Sequence, residues 1–511
     1  MSKDSRGLWL DIAIVAGITL LALGVRFPGL DAQGLWHDEL YTLGNLVGFD
    51  LYLFPGADLA QTEAVHPAGF WVERMATDAF WPNLWRNLVH EGHPPLYLLI
   101  LKAWTLVLGT SASAVRLFSV VVSTMAVPFI FLAGRRVGGR AAGLLAGALF
   151  AASPFQAYFS YEARYYGLLA FMASAATWAA LQMRASKPAP PRSAWVLWLV
   201  FSTGLCLTHY FGAIYCLLLL AALVLPSLGT PRQALVSRPT AVATTPLIVF
   251  SAWLPVLILQ TRSHGTGHWT QGRLGIFPSI RAAATGLLEM ISGPQLSAPP
   301  AELWYSAILL LICAVVALWH QHEAKDRLPV LLLLIILAHA LVVFVVDTVL
   351  DHHTITVARY SSCLSVPLVL LLGLALSKLR SAGFALAGVT TLLFLHASML
   401  TIRGERAPRQ MLREAASFIN EHSTPDDLVV VTPSGPTLVG LALYLDPGIP
   451  IMAMPAADLH TLVLGLDRPA SQKIWSVQQR LGLTAESWAE ATTPPPSDNI
   501  VRFAGLDLVT Y

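Results

Sequence analysis

Five short segments of the sequence group ionisable side chains with aromatic ones. They are residues 35–41, 91–97, 158–166, 208–210 and 351–360. A carboxylate such as Asp38 can take a proton from a hydroxyl group, and arginines such as Arg164 and Arg359 can bind a phosphate. In combination, these residue types suit a reaction that moves a group from a phosphate to a hydroxyl.

Three of these segments have a structural explanation as well. Asp38 and Glu39 could form a solvated turn or cap the N-terminus of a helix. His93 could bind loop carbonyls, and Glu162 with Arg164 could form a surface cluster beside tyrosines. The chemical interpretation therefore depends on the five segments meeting on one face of the molecule, since chance would distribute them over both faces.

The composition excludes an ordinary soluble protein. Of the 511 residues, 55% are hydrophobic and 12% are charged, whereas soluble domains have about 45–50% and about 25%. The net charge is +2 and the sequence contains no block of basic residues, so nucleic acid is not expected as a partner. The four cysteines lie in apolar stretches without CxxC spacing, which favours packing roles over a disulfide or zinc framework.

Long apolar runs separated by basic clusters predict a polytopic, all-α membrane protein. Peptide groups inside a bilayer must bond to one another, so each run should be a helix, with lysines and arginines at its cytoplasmic end. Clusters such as Arg135, Arg136 and Arg140 give about eleven transmembrane helices. The predicted spans are 8–27, 112–134, 141–157, 165–184, 194–208, 210–228, 241–260, 302–320, 329–349, 360–377 and 383–400. With this topology the five polar segments gather on the outer face.

Residues 28–111 are predicted to form one long outer loop. The apolar run 93–109 would place Arg135 and Arg136 outside if it crossed the membrane, so we expect it to lie along or dip into the outer leaflet. Several tryptophans in this loop suit interfacial helices. An ordinary transmembrane helix at 93–109 is the alternative.

The composition changes after residue 401, where charges, prolines and alternating apolar residues appear. Residues 413–420 favour a helix and residues 427–431 favour a strand. Similar pieces follow at 437–445, 473–481 and 499–511, with a proline-rich loop at 494–496. We therefore predict a small extracytoplasmic α/β domain at 401–511 and a membrane domain at 1–400.

Group transfer at the outer face points to a lipid-linked substrate. A sugar on a polyprenyl phosphate has its reactive carbon at the membrane boundary, whereas nucleotide sugars are not supplied on that side. The reaction needs a carboxylate for the acceptor's proton and a cation for the departing phosphate. Asp38 is predicted as the base, with Arg164 and Arg359 as phosphate partners.

The motifs resemble those of a known family. Trp36-His37-Asp38-Glu39 follows the first helix, and His93-Pro94-Pro95, residues 160–166, residues 208–210 and Arg359-Tyr360 come after it in order. On these motifs the sequence resembles the GT-C membrane glycosyltransferases of the glycosyltransferase family 39-like branch, which includes protein O-mannosyltransferases and lipid A aminoarabinose transferases. The resemblance implies a GT-C type fold, a polyprenyl-phosphate sugar donor, inverting transfer, a catalytic aspartate at Asp38 and a second acidic residue at Glu162.

The predicted site follows from these motifs. The predicted catalytic residues are Asp38, Glu39 and Glu162. The predicted substrate-binding residues are His93, Tyr161, Arg164, Tyr165, His209, Tyr210, Arg359 and Tyr360. The pattern of residues requires no cofactor. A divalent metal bound by Asp38, His93, Glu162 and His209 stays an open alternative. The oxygen and nitrogen atoms of these side chains are suitable ligands, but their spacing in the sequence does not require a metal.

The partners follow from the same reasoning. The expected partners are a polyprenyl-phosphate-linked sugar donor, membrane lipids, and an acceptor that is a lipid, a glycan or a protein. We expect a multi-pass protein of the plasma (inner) membrane, whose active site and C-terminal domain face the periplasm or the cell exterior. A transporter or lipid flippase is the alternative, although transporters place functional residues near the bilayer midplane rather than at helix ends.

Overall fold

Two compact units make up the chain. The computed structural model describes residues 3–51, 64–185, 190–227, 238–263, 270–294, 300–324, 327–403, 405, 409–432, 435–454, 472–479, 500–503 and 506–510. The unit that we call the helical unit comprises Met1–Leu30, His93–Ile258 and Gly267–Ala407. The second, which we call the mixed unit, comprises Asp31–Gly92, Leu259–Thr266 and Pro408–Tyr511.

Helices dominate the described chain, as the long apolar runs predict. In chain order they are α1 (Lys3–Arg26), α2 (His37–Val47), α3 (Ala68–Ala76), α4 (Phe80–Glu91), α5 (Leu96–Leu108), α6 (Ala112–Thr124), α7 (Ala126–Ala152), α8 (Pro154–Ser160), α9 (Tyr166–Ala185), α10 (Arg192–Thr208), α11 (Tyr210–Leu219), α12 (Arg238–Ser251), α13 (Leu254–Arg262), α14 (Ile276–Ser292), α15 (Pro300–Ala324), α16 (Leu328–Leu350), α17 (Ser365–Lys378), α18 (Arg380–Ile402), α19 (Leu412–His422) and α20 (Gly435–Ala442). Short 3-10 turns at Thr354–Thr356 and Ala358–Leu364 connect α16 to α17.

Membrane-spanning segments are present in the described part of the chain. Seven helical segments are long and apolar enough to cross a bilayer. They are Trp9–Gly29, Ala112–Ala152, Pro239–Arg262, Ala301–His320, Leu328–Leu350, Ala358–Lys378 and Arg380–Ile402. Shorter apolar helices occupy Leu96–Leu108, Arg192–Thr208 and Tyr210–Val224. The chain is a multi-pass membrane protein, and the total of about eleven spans stays a prediction.

Helix α7 contains an interruption where the sequence predicts a boundary between two spans. Gly138 and Gly139 have non-helical backbone angles, and the φ of Gly139 is 82°, a conformation that favours glycine. Arg135 and Arg140 flank this break, and both form ion pairs with Asp11 of α1; the Arg140 Nε lies 2.7 Å from the Asp11 Oδ1. The basic cluster that predicted the boundary therefore lies at the break and ties it to α1.

The apolar run 93–109 forms helix α5, which has 13 residues. At 1.5 Å per residue such a helix is about 20 Å long, against about 30 Å for the hydrocarbon core of a bilayer. Gly109, with a φ of 78°, ends the helix. This length is compatible with a helix that enters the outer leaflet without crossing, while its orientation in the bilayer stays a prediction.

The mixed unit contains a six-stranded sheet with the order β1-β3-β2-β4-β6-β5. The strands are β1 (His66–Pro67), β2 (Leu428–Thr432), β3 (Pro450–Ala453), β4 (Ile474–Gln479), β5 (Ile500–Phe503) and β6 (Leu506–Thr510). Strand β2 pairs in parallel with β3 and β4, and the other pairs are antiparallel. The predicted helix at 413–420 and strand at 427–431 correspond to α19 and β2, whereas the predicted loop at 494–496 lies outside the described residues.

The structure divides the chain differently from the predicted domains 1–400 and 401–511. The first outer loop supplies β1, which pairs with β3, and α2, which packs on α20. A Cβ atom on Gly440 would lie 2.5 Å from the Leu40 Cδ1, so the two helices are in close contact. Residues 31–92 therefore belong with the C-terminal region, because contacts between distant parts of the sequence hold them there.

Candidate functional site

Four of the predicted polar segments converge within the helical unit. His93 precedes the two prolines that lead into α5, and Tyr165 lies immediately before α9. His209 occupies the turn between α10 and α11, and Tyr360 lies in the 3-10 segment Ala358–Leu364. Because each side chain stands at the end of a different helical element, the packing of the helices brings the four together.

The rings of these residues form an aromatic cluster. The His93 ring centroid lies 3.9 Å from that of Tyr165, with an angle of 31° between the planes. The His93 and His209 centroids are 5.1 Å apart, and those of Tyr165 and His209 are 5.3 Å apart. Tyr360 completes the cluster at 5.6 Å from His209. These contacts place two histidines and two tyrosines around one point.

Arg164 adds a cation to the aromatic cluster. Its guanidinium carbon lies 4.5 Å from the Tyr165 ring centroid, and its Nη2 donates a hydrogen bond to the Tyr165 hydroxyl. The backbone is also held, because the Ser119 hydroxyl donates to the Arg164 carbonyl at 3.3 Å. Only 4% of Arg164 is exposed. A buried guanidinium in this position can bind an anion with little competition from water.

His209 presents a hydrogen-bond donor in a fixed tautomer. Its Nδ1 accepts a hydrogen bond from the Phe211 N–H at 3.1 Å, so in the neutral ring the proton resides on Nε2. The Nε2 is buried and has no hydrogen-bond partner among the described residues. Burial lowers the pKa of His209, and the nearby His93, Arg164 and His339 lower it further. The neutral ring therefore offers one N–H to a bound acceptor.

Two of the predicted tyrosines make structural contacts. Tyr161 is 1% exposed and joins a hydrophobic cluster with Leu30, Val120 and Ile402. Tyr210 accepts a hydrogen bond from the Trp253 Nε1 at 3.0 Å. These contacts direct both side chains toward packing positions in the helical unit. Their predicted role in substrate binding has no support from the geometry of the aromatic cluster.

Glu162 and Arg359 differ in their exposure. Glu162 is completely buried, between the core residue Tyr161 and the cluster's cation. Arg359 is half-buried, and its guanidinium carbon lies 5.9 Å from the Tyr360 ring centroid. Asp351, in the predicted segment 351–360, forms an exposed ion pair with Arg273 at 3.2 Å, which leaves Asp351 on the surface.

Glu289 on α14 is a titratable residue with a shifted pKa that the sequence analysis did not single out. Burial raises the pKa of Glu289 to about 7, and the positive charge of Arg359 acts in the opposite direction. The sequence contains a signal, because Glu289 is the single charged residue within the apolar stretch 287–291. An acidic group that titrates near neutrality beside a cation is typical of functional sites.

Asp38 and Glu39 lie in the first turn of helix α2 in the mixed unit, and their side chains differ in burial. Glu39 is completely buried, accepts a hydrogen bond from the Trp36 N–H at 3.4 Å, and forms an ion pair with the buried Arg409 at 3.8 Å. The Asp38 side chain is 21% exposed and lies 3.8 Å from the His37 Nδ1. The Asp38 side chain is therefore partly open to solvent, whereas the contacts of Glu39 stabilise the start of α2.

The described residues give limited support for a metal. Among them, no group of three or more histidine, cysteine, aspartate and glutamate side chains is disposed to hold a metal ion. The metal suggested for Asp38, His93, Glu162 and His209 therefore stays a prediction, and no chemical step is assigned to it.

Comparisons with known proteins give a family match over part of the chain and a common fold over nearly all of it. Residues 92–258 match the sequence model of a family described as dolichyl-phosphate-mannose-protein mannosyltransferase. The crystal structure of ArnT from Cupriavidus metallidurans in the apo state is similar with a TM-score of 0.54 and 15% sequence identity, over 100% of this chain and 98% of that one. ArnT from the same organism bound to undecaprenyl phosphate gives a TM-score of 0.52 and 13% identity, over 97% of each chain. A comparison with curated proteins gave no match.

The similarity to ArnT extends over nearly the whole chain and shows a common fold. The expectation of a helical GT-C type membrane protein with a small C-terminal region of strands is confirmed. The matched family segment contains His93, Arg164, Tyr165 and His209. It therefore contains most of the aromatic cluster.

Proposed function

We propose that this protein is an inverting glycosyltransferase that moves a sugar from a polyprenyl-phosphate donor to an acceptor hydroxyl at the outer face of the membrane. The observation that carries the proposal is the cluster of half-buried His93 with buried Arg164, Tyr165 and His209 in the helical unit. Further support comes from the fold, since ArnT, which shares it, has been crystallised with undecaprenyl phosphate. The coarse assignment as a membrane glycosyltransferase rests on these two observations together.

The cluster suits the phosphate of the donor. Arg164 supplies a positive charge. The His209 Nε2 supplies a neutral N–H group that donates no hydrogen bond to any of the described residues. Hydrogen bonds from a cation to phosphate oxygens are about twice as strong as neutral ones, and burial strengthens them further. We assign His93, Tyr165 and Tyr360 to the aromatic wall of this site, and Arg359 to the second cation.

The reaction requires one proton transfer and one bond exchange. The acceptor oxygen forms a bond to the anomeric carbon while the bond from that carbon to the phosphate oxygen breaks, so the configuration inverts. Asp38 takes the proton of the acceptor hydroxyl, and the electron pair of the broken bond leaves with the polyprenyl phosphate. The accessible side chain of Asp38 supports this role, whereas Glu39 is already paired with Arg409.

Arg164 and Arg359 would stabilise the phosphate that departs, because negative charge develops on its bridging oxygen in the transition state. Glu162 is proposed as the second acidic residue of the site. The sugar and the acceptor are left open, with a lipid, a glycan or a protein as acceptor. We assign the site to the periplasmic or external face of the plasma (inner) membrane.

A transfer assay tests the proposal. Purified full-length protein is mixed with a labelled polyprenyl-phosphate hexose and a membrane extract, and the release of polyprenyl phosphate is measured together with the labelled product. The proposal expects product from the wild type and a loss of about 10²–10⁴ in kcat for Asp38→Asn. Asp426→Asn is the matched control, because Asp426 is an exposed residue of the same unit.

One outcome would overturn the role of Asp38, and another would overturn the proposed function. Full activity of Asp38→Asn would remove Asp38 as the base. Movement of the intact labelled lipid across reconstituted vesicles without any release of sugar would instead support the alternative of a flippase.

A further inference from the structure

Helix α16 contains a single residue of the types Asp, Glu, Lys and Arg. This residue, Asp347, lies in the last turn of the helix, and only 4% of it is exposed. An ionisable residue in a membrane-spanning segment is costly to bury and commonly has a function. The contacts of Asp347 therefore indicate what the chain gains by keeping a carboxylate at this position.

All three oxygens of Asp347 accept hydrogen bonds from the chain that follows α16. The carbonyl oxygen accepts from the His352 N–H at 2.8 Å. The side-chain Oδ2 accepts from the Ile355 N–H at 2.8 Å, and the Oδ1 accepts from the Thr354 hydroxyl. The residue before the 3-10 turn Thr354–Thr356 makes no side-chain cap bond. Asp347 therefore caps this turn from another helix, since the first N–H groups of a helical turn need an acceptor outside it.

Two backbone hydrogen bonds continue from this turn to Tyr360. The Thr354 carbonyl accepts from the Val357 N–H at 3.0 Å, and the Val357 carbonyl accepts from the Tyr360 N–H at 3.0 Å. A continuous chain of hydrogen bonds thus runs from the carboxylate of Asp347 to Tyr360. Because each bond fixes the backbone of the next residue, the position of Tyr360 depends on the position of the turn.

Tyr360 connects this chain of bonds to the aromatic cluster. Its ring centroid lies 5.6 Å from the centroids of His209 and Phe211, and 6.5 Å from that of His93. The tyrosine therefore stands beside the histidine whose Nε2 is assigned to the donor's phosphate. Functional side chains must be held to within about 0.5 Å, so a small shift of Tyr360 would alter the wall of this site.

Other contacts hold this part of the chain without replacing Asp347. The His353 N–H donates to the Thr270 carbonyl at 2.8 Å, and the Gly272 N–H donates to the Asp351 carbonyl at 2.9 Å. These two bonds fix the chain before the 3-10 turn. Helix α14 packs on the turn itself, but apolar packing is non-directional, whereas hydrogen bonds fix distance and angle.

We infer that Asp347 is a positioning residue for donor binding, because it holds the turn Thr354–Thr356 and thereby keeps Tyr360 beside His209. The inference rests on the proposed function, since that function assigns the donor's phosphate to this site. Asp347 acts through the turn and makes no bond to the sugar, the phosphate or the acceptor.

Three variants separate the hydrogen bonds of Asp347 from its charge. Asp347→Leu has a similar shape but removes both side-chain acceptors. Asp347→Asn keeps both bonds without the charge, because its amide oxygen accepts from the Ile355 N–H and its amide nitrogen donates to the Thr354 hydroxyl. Thr348→Val is the matched control, because the Thr348 hydroxyl donates to the Phe344 carbonyl of the same helix at 2.8 Å.

Amide hydrogen exchange of the full-length protein in nanodiscs tests the structural half of the inference without any donor. In Asp347→Leu the amides of Val357 and Tyr360 should exchange about tenfold faster, which corresponds to the loss of one to two hydrogen bonds. Asp347→Asn and Thr348→Val should keep the wild-type rates. Wild-type rates in Asp347→Leu would overturn the inference.

Binding of a polyprenyl-phosphate hexose to the same preparations tests the functional half. The Kd should rise about tenfold in Asp347→Leu and stay within about twofold of the wild type in Asp347→Asn and Thr348→Val. Thr354→Val removes one of the two bonds and should have an intermediate Kd and intermediate exchange rates. It supplies both measurements if Asp347→Leu does not fold.

The results distinguish the inference from the proposed function. Faster exchange in Asp347→Leu with a wild-type Kd would overturn the inference while leaving the proposed function in place. An equal loss of affinity in Asp347→Asn would also overturn it, because that variant keeps both hydrogen bonds. Absence of donor binding to the wild type would overturn both.

Discussion

Adjacent carboxylates at the start of α2 should respond in opposite ways to the loss of their charge. Glu39 and Arg409 are 0% and 1% exposed in their side chains and lie 3.8 Å apart. Glu39→Gln leaves the charge of Arg409 buried without its counter-charge, which costs about 3–5 kcal/mol. In a unit of this size each kcal/mol lowers the Tm by about 2–4 °C, so we expect a fall of about 6–20 °C.

Asp38→Asn should have the opposite profile. Asp38 lies in the first turn of α2, where a negative charge stabilises the helix N-terminus by about 0.3–1 kcal/mol. Its replacement should therefore lower the Tm by no more than about 4 °C, while kcat falls about 10²–10⁴-fold if Asp38 takes the acceptor's proton.

Two assays on the same preparations decide between these profiles. Tryptophan fluorescence during heating reports the Tm, aided by Trp36, whose ring centroid lies 6.0 Å from the Arg409 guanidinium carbon. The labelled-donor assay gives kcat below the Tm of each variant. The double variant Glu39→Met with Arg409→Met serves as the control, since removing both charges of a buried pair restores much of the lost stability. A stable Glu39→Gln protein that lacks activity would refute the assignment of Glu39 to structure.

Three further changes have defined outcomes. Arg164→Lys loses the planar contact with Tyr165 and should raise the donor KM about tenfold, about 1.4 kcal/mol, in steady-state assays; an unchanged KM would contradict phosphate binding by Arg164. Gly48→Ala should destabilise the mixed unit by about 1–3 kcal/mol in chemical denaturation. The reason is that Gly48 has a φ of 80° and that the added Cβ atom would lie 2.2 Å from the carbonyl oxygen of Ala79. Equal stability of the variant and the wild type would exclude this backbone conformation. Burial raises the pKa of Asp427, but hydrogen bonds from backbone N–H groups and from Trp475 lower this pKa by more. The ionised Asp427 side chain therefore stabilises the fold above about pH 4. This stabilisation disappears as the pH falls through the lowered pKa. Asp427→Asn should cost about 1–3 kcal/mol at pH 7 and progressively less below pH 4, and a difference independent of pH would contradict this.

The helices and the polar segments could be predicted because their causes are local. A bilayer requires continuous apolar runs, so the spans are visible in the order of residues alone. His93 and His209 each stand where such a run begins or ends, which identified them before any contact was known. The C-terminal helix and strand were likewise predicted from periodicity, which is a property of neighbouring residues.

The three-dimensional contacts decided which of the predicted side chains are buried in structural contacts and which are exposed. Glu39 and Arg409 are 370 positions apart, and their contact separates Glu39 from its neighbour Asp38 although both are carboxylates in one motif. The pairing of β1 with β3 moved residues 31–92 from the predicted membrane domain to the mixed unit. Tyr161, predicted to bind substrate, packs beside Leu30 in a hydrophobic cluster, which the order of residues does not show.

Glu289 illustrates why the order of residues cannot give the charge state of a side chain. A lone glutamate in an apolar stretch is visible in the sequence, but the pKa of Glu289 depends on which elements bury it and on the charge of Arg359. The energy of a charge is set by the dielectric constant and the charges within a few ångströms, and residues remote in the chain supply both. The order of residues therefore determines where helices and polar segments occur, whereas the packing of those helices determines which polar groups are buried, paired or open to a substrate.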